Sequence, residues 1–287
     1  MMPPEISLGL SRCSFDGLQE IRMRSMRPIM LYYSGGRAFL TDRGEGEAEK
    51  GIIASCALIC KTVANFCRNS VYAHTDNIKE GFITLPGGHR AGIAGRAVNV
   101  CGNVSNIACY SSVNVRIARE YKGSAQICIP YIREKNRLLN TVIIAPPGGG
   151  KTTVLRDISR LLSEEYKVTV VDERFEIAAE ERGVFGFDVG LQTDVLSGFY
   201  KSEGIVHALR SLSPDVIICD EIGTESDRVA IENILKGGCK IVTSMHGYSI
   251  EEAIEKKNEL MSLFDVAVLL TSESGVPEVK KCVRLWE

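Results

Sequence analysis

Thr141-Val-Ile-Ile-Ala145-Pro-Pro-Gly148-Gly149-Gly150-Lys151-Thr152-Thr153-Val-Leu-Arg-Asp-Ile-Ser-Arg-Leu-Leu162 is the stretch that decides the fold. It opens β-branched and apolar, passes through three glycines, and closes with apolar residues at helical spacing. That is the order strand, glycine loop, helix, which a phosphate-binding loop requires. Successive backbone N–H groups in such a turn converge into an anion nest. The helix that follows adds the positive end of its dipole. Lys151 has the reach for the β- and γ-phosphates of a nucleoside triphosphate, and the Thr152 hydroxyl is a ligand for Mg²⁺. Gly148, Gly149, Gly150, Lys151, Thr152 and Thr153 are therefore the expected nucleotide-binding residues, and Mg²⁺ the expected cofactor. The loop departs from the usual pattern at its first position, where Ala145 stands in place of Gly.

Downstream of the loop, strand-like and helix-like segments alternate, which argues an α/β fold with a mostly parallel sheet and crossover helices. Strands are expected at 141–145, 168–172, 216–220, 240–244 and 265–270. Helices are expected at 151–163, 202–212, 226–237 and 249–262. In such a sheet the reacting groups gather at the carboxyl ends of the strands.

Three strand ends carry the chemistry. Pro214-Asp-Val-Ile-Ile-Cys-Asp220-Glu221 is an apolar run ending in two carboxylates. Asp220 is placed to hold the Mg²⁺ water shell, and Glu221 to orient or deprotonate a water attacking the γ-phosphate. Lys240-Ile-Val-Thr-Ser244-Met-His246 brings Ser244 and His246 to where a side chain can sense that phosphate. Val170-Val-Asp172-Glu173-Arg174-Phe-Glu176 adds further acids, of which Glu176 or Glu173 can position water or metal. Phosphoryl transfer also needs positive charge on the γ-phosphate. Arg116, Arg119, Arg174 and Arg210 are the candidates, and sequence does not rank them.

Upstream, extended segments around residues 18–41 are joined by a hairpin turn at Ser34-Gly-Gly36. Residues 48–70 read as a helix, 81–94 as a second hairpin and 113–117 as a strand. Residues 1–122 are accordingly expected to form a small α+β domain, 123–140 a connector with a helix, and 141–287 the nucleotide-binding domain. The net charge of −2 over 287 residues conceals a division. Residues 1–122 hold 15 basic and 10 acidic side chains, and the remainder 19 and 26.

No apolar run approaches the ~18 residues of a membrane span, and Met1-Met-Pro-Pro-Glu5 has no basic region before an apolar core. A cytoplasmic protein is expected. Ten cysteines contain no Cys-x-x-Cys pair. Cys56, Cys60 and Cys67 are expected to line a buried helix face in a reducing compartment.

Taken together, Ala145-Pro-Pro-Gly-Gly-Gly-Lys-Thr-Thr, Val171-Asp-Glu-Arg-Phe-Glu-Ile, Ser213-Pro-Asp-Val-Ile-Ile-Cys-Asp-Glu-Ile-Gly, Thr243-Ser-Met-His-Gly, Gly81-Phe-Ile-Thr-Leu-Pro-Gly-Gly-His-Arg and Ser112-Val-Asn-Val-Arg-Ile-Ala-Arg resemble the stage III sporulation AA family. That family is similar to the traffic ATPases of type II and type IV secretion. The resemblance implies a RecA-like, AAA+-type ATPase core in a homohexamer. It further implies a Walker A loop at Gly148–Thr153, an acidic box near Glu176, a Walker B pair at Asp220-Glu221 and a histidine box at His246. Arg116 and Arg119 gain weight as γ-phosphate contacts. The relatives have Gly where this chain has Asp220, and one residue fewer between the counterparts of Arg210 and Pro214. By resemblance the protein hydrolyses ATP to energise a transenvelope channel during endospore formation. It would sit peripherally on the mother-cell side of the outer forespore membrane, with other stage III sporulation membrane proteins as partners. No nucleic-acid partner is expected. The rival readings are a nucleic-acid motor, supported only by the basic balance of residues 1–122, and a non-hydrolysing ATP switch.

Overall fold

The structure is a computed structural model and describes residues 1–67, 81–100, 102–135, 137–180, 183–271 and 277–285. The chain divides into two compact units, Met1–Arg119 and Glu120–Glu287.

The first unit is an antiparallel sheet with helices on one face. Helix α1 (Pro4–Leu10) precedes strands β1 (Leu18–Arg24), β2 (Met30–Tyr33), β3 (Gly36–Thr41) and β4 (Gly44–Gly46). Helix α2 (Cys56–Phe66) and strands β5 (Phe82–Leu85), β6 (His89–Val100) and β7 (Asn103–Arg116) complete it. The strand order is β4-β3-β2-β1-β7-β6-β5. Alternate residues such as Ile21, Met23, Leu31, Val113 and Val115 turn inward onto Ile59, Val63 and Phe66 of α2. This is the two-residue period of a half-buried strand.

Two expectations fail here. The helix expected over 48–70 begins only at Cys56, capped by the Ser55 hydroxyl, which accepts the Leu58 N–H at 3.1 Å. Before it, Ile52 is extended, donating to Leu40 O at 2.7 Å and accepting from Ile29 at 2.9 Å. Gly51 and the β-branched pair Ile52-Ile53 favour that course over a helical one. The cysteines also sit otherwise than expected: Cys67 is buried, but Cys56 and Cys60 are exposed. The spacing does place Cys56 and Cys60 on one side of α2, but Leu58, Ile59, Thr62, Val63 and Phe66 form the buried side, and Cys67 follows the helix as its cap.

The second unit is a sheet covered on both faces. A short helix α3 (Ile129–Ile132) and a small hairpin, β8 (Arg133–Glu134) with β9 (Arg137–Leu138), lead into the first central strand, β10 (Thr141–Ala145). Then follow α4 (Lys151–Leu162), β11 (Val168–Asp172), β12 (Thr193–Ser197), α5 (Lys201–Ser211), β13 (Val216–Cys219), α6 (Glu225–Lys236) and β14 (Lys240–His246). The unit closes with α7 (Ile250–Lys256), α8 (Asn258–Met261), β15 (Val266–Thr271) and β16 (Glu278–Arg284). The sheet order is β12-β11-β13-β14-β10-β15-β16, parallel throughout except for β16. Ile143 of β10 faces the layer that holds Val154 and Ile158 of α4, whereas Val142 and Ile144 face the layer with Ile231 and Ile234 of α6. Burial on both sides is why these strands read as continuous apolar runs. The single helix expected over 249–262 is two, because Lys257 leaves helical geometry at φ −138° and ψ 43°.

The sheet order puts β10, β14, β13 and β11 side by side. Their carboxyl ends carry, in that order across one edge, the phosphate loop, His246, Asp220-Glu221 and the acidic segment after Asp172.

Candidate active site

The glycine loop is built as a cradle. Gly148 and Gly150 have φ of 74° and 82°, a region that β-carbons disfavour. A β-carbon on Gly149 would lie 2.8 Å from Ala145 Cβ and 3.0 Å from Pro146 O, so that position tolerates no side chain. Ala145 itself is the last residue of β10, fully buried and paired in register with His246. It needs no glycine-only conformation, which accounts for its departure from the usual pattern.

Lys151 begins α4 and is only 9% exposed. Its Nζ donates to Ala145 O at 3.2 Å and to Pro146 O at 3.3 Å, and lies 3.0 Å from His246 Nδ1. An ammonium only donates, so Nδ1 accepts and the ring proton is assigned to Nε2. That nitrogen lies 3.2 Å from Glu221 Oε1. Lys151, His246 and Glu221 thus form a chain across three strand ends. Burial pushes the Lys151 pKa down, and the charges of Asp220 and Glu221 partly restore it.

Thr152 Oγ1 donates to Asp220 Oδ2 at 2.8 Å. The other Asp220 oxygen accepts the Ser244 hydroxyl, and Ser244 Oγ in turn accepts the Glu221 N–H at 3.0 Å. Glu221 adopts a positive φ of 44°, and the Ile222 N–H bonded to Ser244 O at 2.9 Å helps to hold it there. Ser244 is fully buried and occupied with this acidic pair. It positions the carboxylates, rather than sensing phosphate as its place in the sequence suggested. Ser244→Ala would remove the hydroxyl that joins Asp220 to the Glu221 N–H.

The acidic segment is held from beneath. Asp172, 2% exposed, accepts the N–H groups of Glu176 (2.8 Å), Ile177 (3.1 Å) and Ala178 (2.9 Å). Burial raises its pKa, against the lowering effect of those amides. Arg156 of α4 donates to the carbonyls of Ile177 at 2.6 Å and Glu176 at 2.7 Å. Its guanidinium carbon lies 3.6 Å from the Phe187 ring centroid. Neither role is visible in the sequence, where Arg156 is one of several basic residues on an amphipathic helix. Glu173 is paired with Lys201 at 2.8 Å.

The candidate arginines divide. Arg174 reaches the site, with Nη1 3.1 Å from Glu221 Oε2. Arg210 lies in the last turn of α5, which leads into the amino end of β13, so the fold carries it to the opposite edge of the sheet. Arg116 and Arg119 belong to the first unit. Arg116 is exposed and lies 3.6 Å from Glu20, whereas Arg119 donates to the carbonyls of Phe15 at 3.1 Å and Leu18 at 2.9 Å.

A nucleotide with Mg²⁺ fits this donor set. The cradle admits backbone only, a lysine stands at its mouth, and the neighbouring hydroxyl and carboxylate are hard oxygen donors of the kind Mg²⁺ takes alongside phosphate and water. Arg174, Glu221 and His246 also line a cleft of about 630 Å³, together with Lys201, Thr224 and Lys257.

Fold and site together define the class: a two-unit α/β protein with the fold of the secretion ATPases. Residues 7–283 match the family described as sporulation stage III, protein AA, and the chain belongs to that family. It is 38% identical over 245 residues to stage III sporulation protein AA of Bacillus subtilis (strain 168), covering 83% of this chain and 76% of that one. Among solved structures it resembles the pilus retraction motor PilT with bound ADP, at a TM-score of 0.57 and 12% identity, over 94% of this chain and 80% of that one. It also resembles the Legionella pneumophila ATPase DotB, at a TM-score of 0.52 and 16% identity, over 89% of this chain and 72% of that one. At these identities the likeness is one of fold. Among the described residues, no helix is long and apolar enough to cross a membrane.

Proposed function

We propose that the protein is a Mg²⁺-dependent ATP hydrolase. The observation that carries this reading is the contact of Thr152 with Asp220 at 2.8 Å, directly behind the glycine cradle and directly before Glu221. A phosphate loop alone holds a nucleotide. A carboxylate on the next residue, joined to His246, adds a group that can accept a proton from water.

The residues divide the work. The amides of Gly148–Thr153 and the Lys151 ammonium take the phosphates. Thr152 and Asp220 hold Mg²⁺, which when bound neutralises charge on the phosphates. Glu221 orients the attacking water and accepts its proton. His246, with its proton on Nε2, donates toward Glu221 and couples it to Lys151. Arg174 holds Glu221 in the structure described, and is the arginine of this unit placed to turn toward the γ-phosphate.

In the cell, we infer, hydrolysis drives motion between subunits of a homohexameric ring and energises a transenvelope complex during endospore formation, with other stage III sporulation membrane proteins as partners. Membership of the sporulation family supports the setting, and the likeness to DotB and PilT supports the motor. Phosphate release and mass, measured together across protein concentration, test both. Specific activity is expected to rise with self-association and to fall to background in EDTA, returning with Mg²⁺. Activity indifferent to EDTA would remove the metal from the scheme, and full activity of the monomer would remove the ring.

A further inference from the structure

We propose that Arg156 and Asp172 form a two-sided clamp that sets Glu176 in the wall of a water-sized cavity beside Glu221, so that the acidic loop follows the phosphate-loop helix. The inference rests on the ATPase reading above.

The clamp grips the loop by its backbone. Asp172, fixed at the end of β11, takes the N–H groups of three consecutive residues, Glu176, Ile177 and Ala178. Arg156, fixed in α4, takes the carbonyls of two of the same residues, Glu176 and Ile177. Donors and acceptors of the peptide groups there are therefore held from opposite sides, one by the sheet and one by the helix. Phe175 and Ala179 bracket the gripped stretch, and both have positive φ, 57° and 50°. Such conformations persist where the surroundings over-determine them.

Both members of the clamp are ionisable and both are buried, Arg156 to 6% exposure and Asp172 to 2%. Burial draws the Arg156 pKa down to about 10, while Glu120, Asp172, Asp220 and Glu176 support its charge. A loop that merely had to be covered could be held by apolar contact at less desolvation cost. A planar fork adds orientation, since two carbonyls accept from one rigid group.

The stretch so oriented faces chemistry. Glu173, Glu176, Lys201, Asp220 and Glu221 line a cavity of about 20 Å³, room for about one water molecule among several polar partners. Glu176 thereby joins Glu173, Asp220 and Glu221 around that space. Arg156 lies one helical turn beyond Thr152, the residue that touches Asp220. A displacement of the start of α4 by bound phosphate is carried through Arg156 to the Glu176 carbonyl, and so to the cavity. Arg156 is a positioning residue in this scheme and touches no phosphate.

Steady-state phosphate release by the full chain tests it with R156K, E176Q and the double variant R156K/E176Q. Lysine keeps the charge and most of the stem but cannot serve both carbonyls in one plane. Each single variant is expected to lose at least ~10-fold in kcat with KM for ATP within about threefold. If Arg156 acts through Glu176, the double variant is no slower than the slower single one. Losses that multiply would overturn the inference, as would E176Q turning over at the wild-type rate. That second outcome is informative even if R156K fails to fold. Wild type and E221Q run alongside keep the two levels apart. An inactive wild type would remove the ATPase reading and this inference together. An active wild type with inactive E221Q and normal E176Q would remove the clamp alone.

Discussion

Glu221→Gln is expected to hold Mg·ATP with an affinity within about threefold of wild type and to release phosphate at least ~100-fold more slowly, the usual range for a lost general base being about 10²–10⁴. The substitution is nearly isosteric, but Arg174 Nη1 and His246 Nε2 lie 3.1 and 3.2 Å from different carboxylate oxygens, Oε2 and Oε1, so the amide oxygen keeps one of the two contacts. The Glu221 N–H that bonds to Ser244 is unchanged, and so is the backbone at φ 44°. Charge, basicity and one of these two side-chain contacts are removed. Glu221 is partly exposed, with 38% of its side-chain area open, so unfolding curves of the variant and wild type are expected to overlap closely. Equilibrium binding of ATP and single-turnover phosphate release on the same preparation separate the two effects. Turnover at the wild-type rate would mean that the proton goes elsewhere and that Asp220-Glu221 serves only to bind. Loss of binding together with turnover would mean that Glu221 is a structural prop for the loop.

What could be read from the sequence, and what could not, follows from how each element is buried. The strands at 141–145, 168–172 and 216–219 are covered on both faces, so each appears as an unbroken apolar run and was expected nearly residue for residue. Two strands of that sheet went unread, Thr193–Ser197 and Glu278–Arg284, and both lie at its edges. Edge strands carry polar and charged side chains that blur the alternation, as in Glu278-Val-Lys-Lys-Cys-Val-Arg284. The site shows the same division. Lys151, Thr152, Asp220, Glu221 and His246 stand beside glycines or at the ends of apolar strands, where a charged or hydroxyl side chain is conspicuous. Ser244 and Arg156 act through buried contacts with segments tens of residues away, which no local pattern encodes. Arg210 shows the converse. It resembles a site residue by its neighbours in sequence, but a helix of 11 residues carries it away from the edge where the chemistry lies.

Lys151→Met is expected to abolish measurable ATP binding while leaving the nucleotide-free protein about as stable as wild type. The loss follows from charge. Charge-assisted hydrogen bonds contribute about 1.5–3 kcal/mol each, and an ammonium serving two phosphates supplies two, so affinity falls by about 10²–10⁴. The unchanged stability follows from the contacts that remain. Of the carbonyls that Lys151 serves, Ala145 O also accepts Gly247 N–H at 3.3 Å and Pro146 O also accepts Gly149 N–H at 3.0 Å. Neither is orphaned, and methionine fills the volume of the stem. Burial, moreover, disfavours the charged lysine in the absence of phosphate. Its folded pKa lies below the unfolded value, so between the two the unfolded chain binds more protons. Wild-type stability therefore gains a rising component as pH climbs through the folded pKa toward 10.5, and the methionine variant lacks it. Thermal unfolding with and without Mg·ATP reads both halves at once. At a nucleotide concentration near 100 times Kd, wild type gains about 2.7 kcal/mol and its midpoint moves up by several degrees. The variant's midpoint without nucleotide matches wild type near neutral pH and does not move when nucleotide is added. A variant that unfolds many degrees early without nucleotide would show that Lys151 holds the loop's shape as well as its ligand. The cradle would then depend on its own lysine before any phosphate arrives.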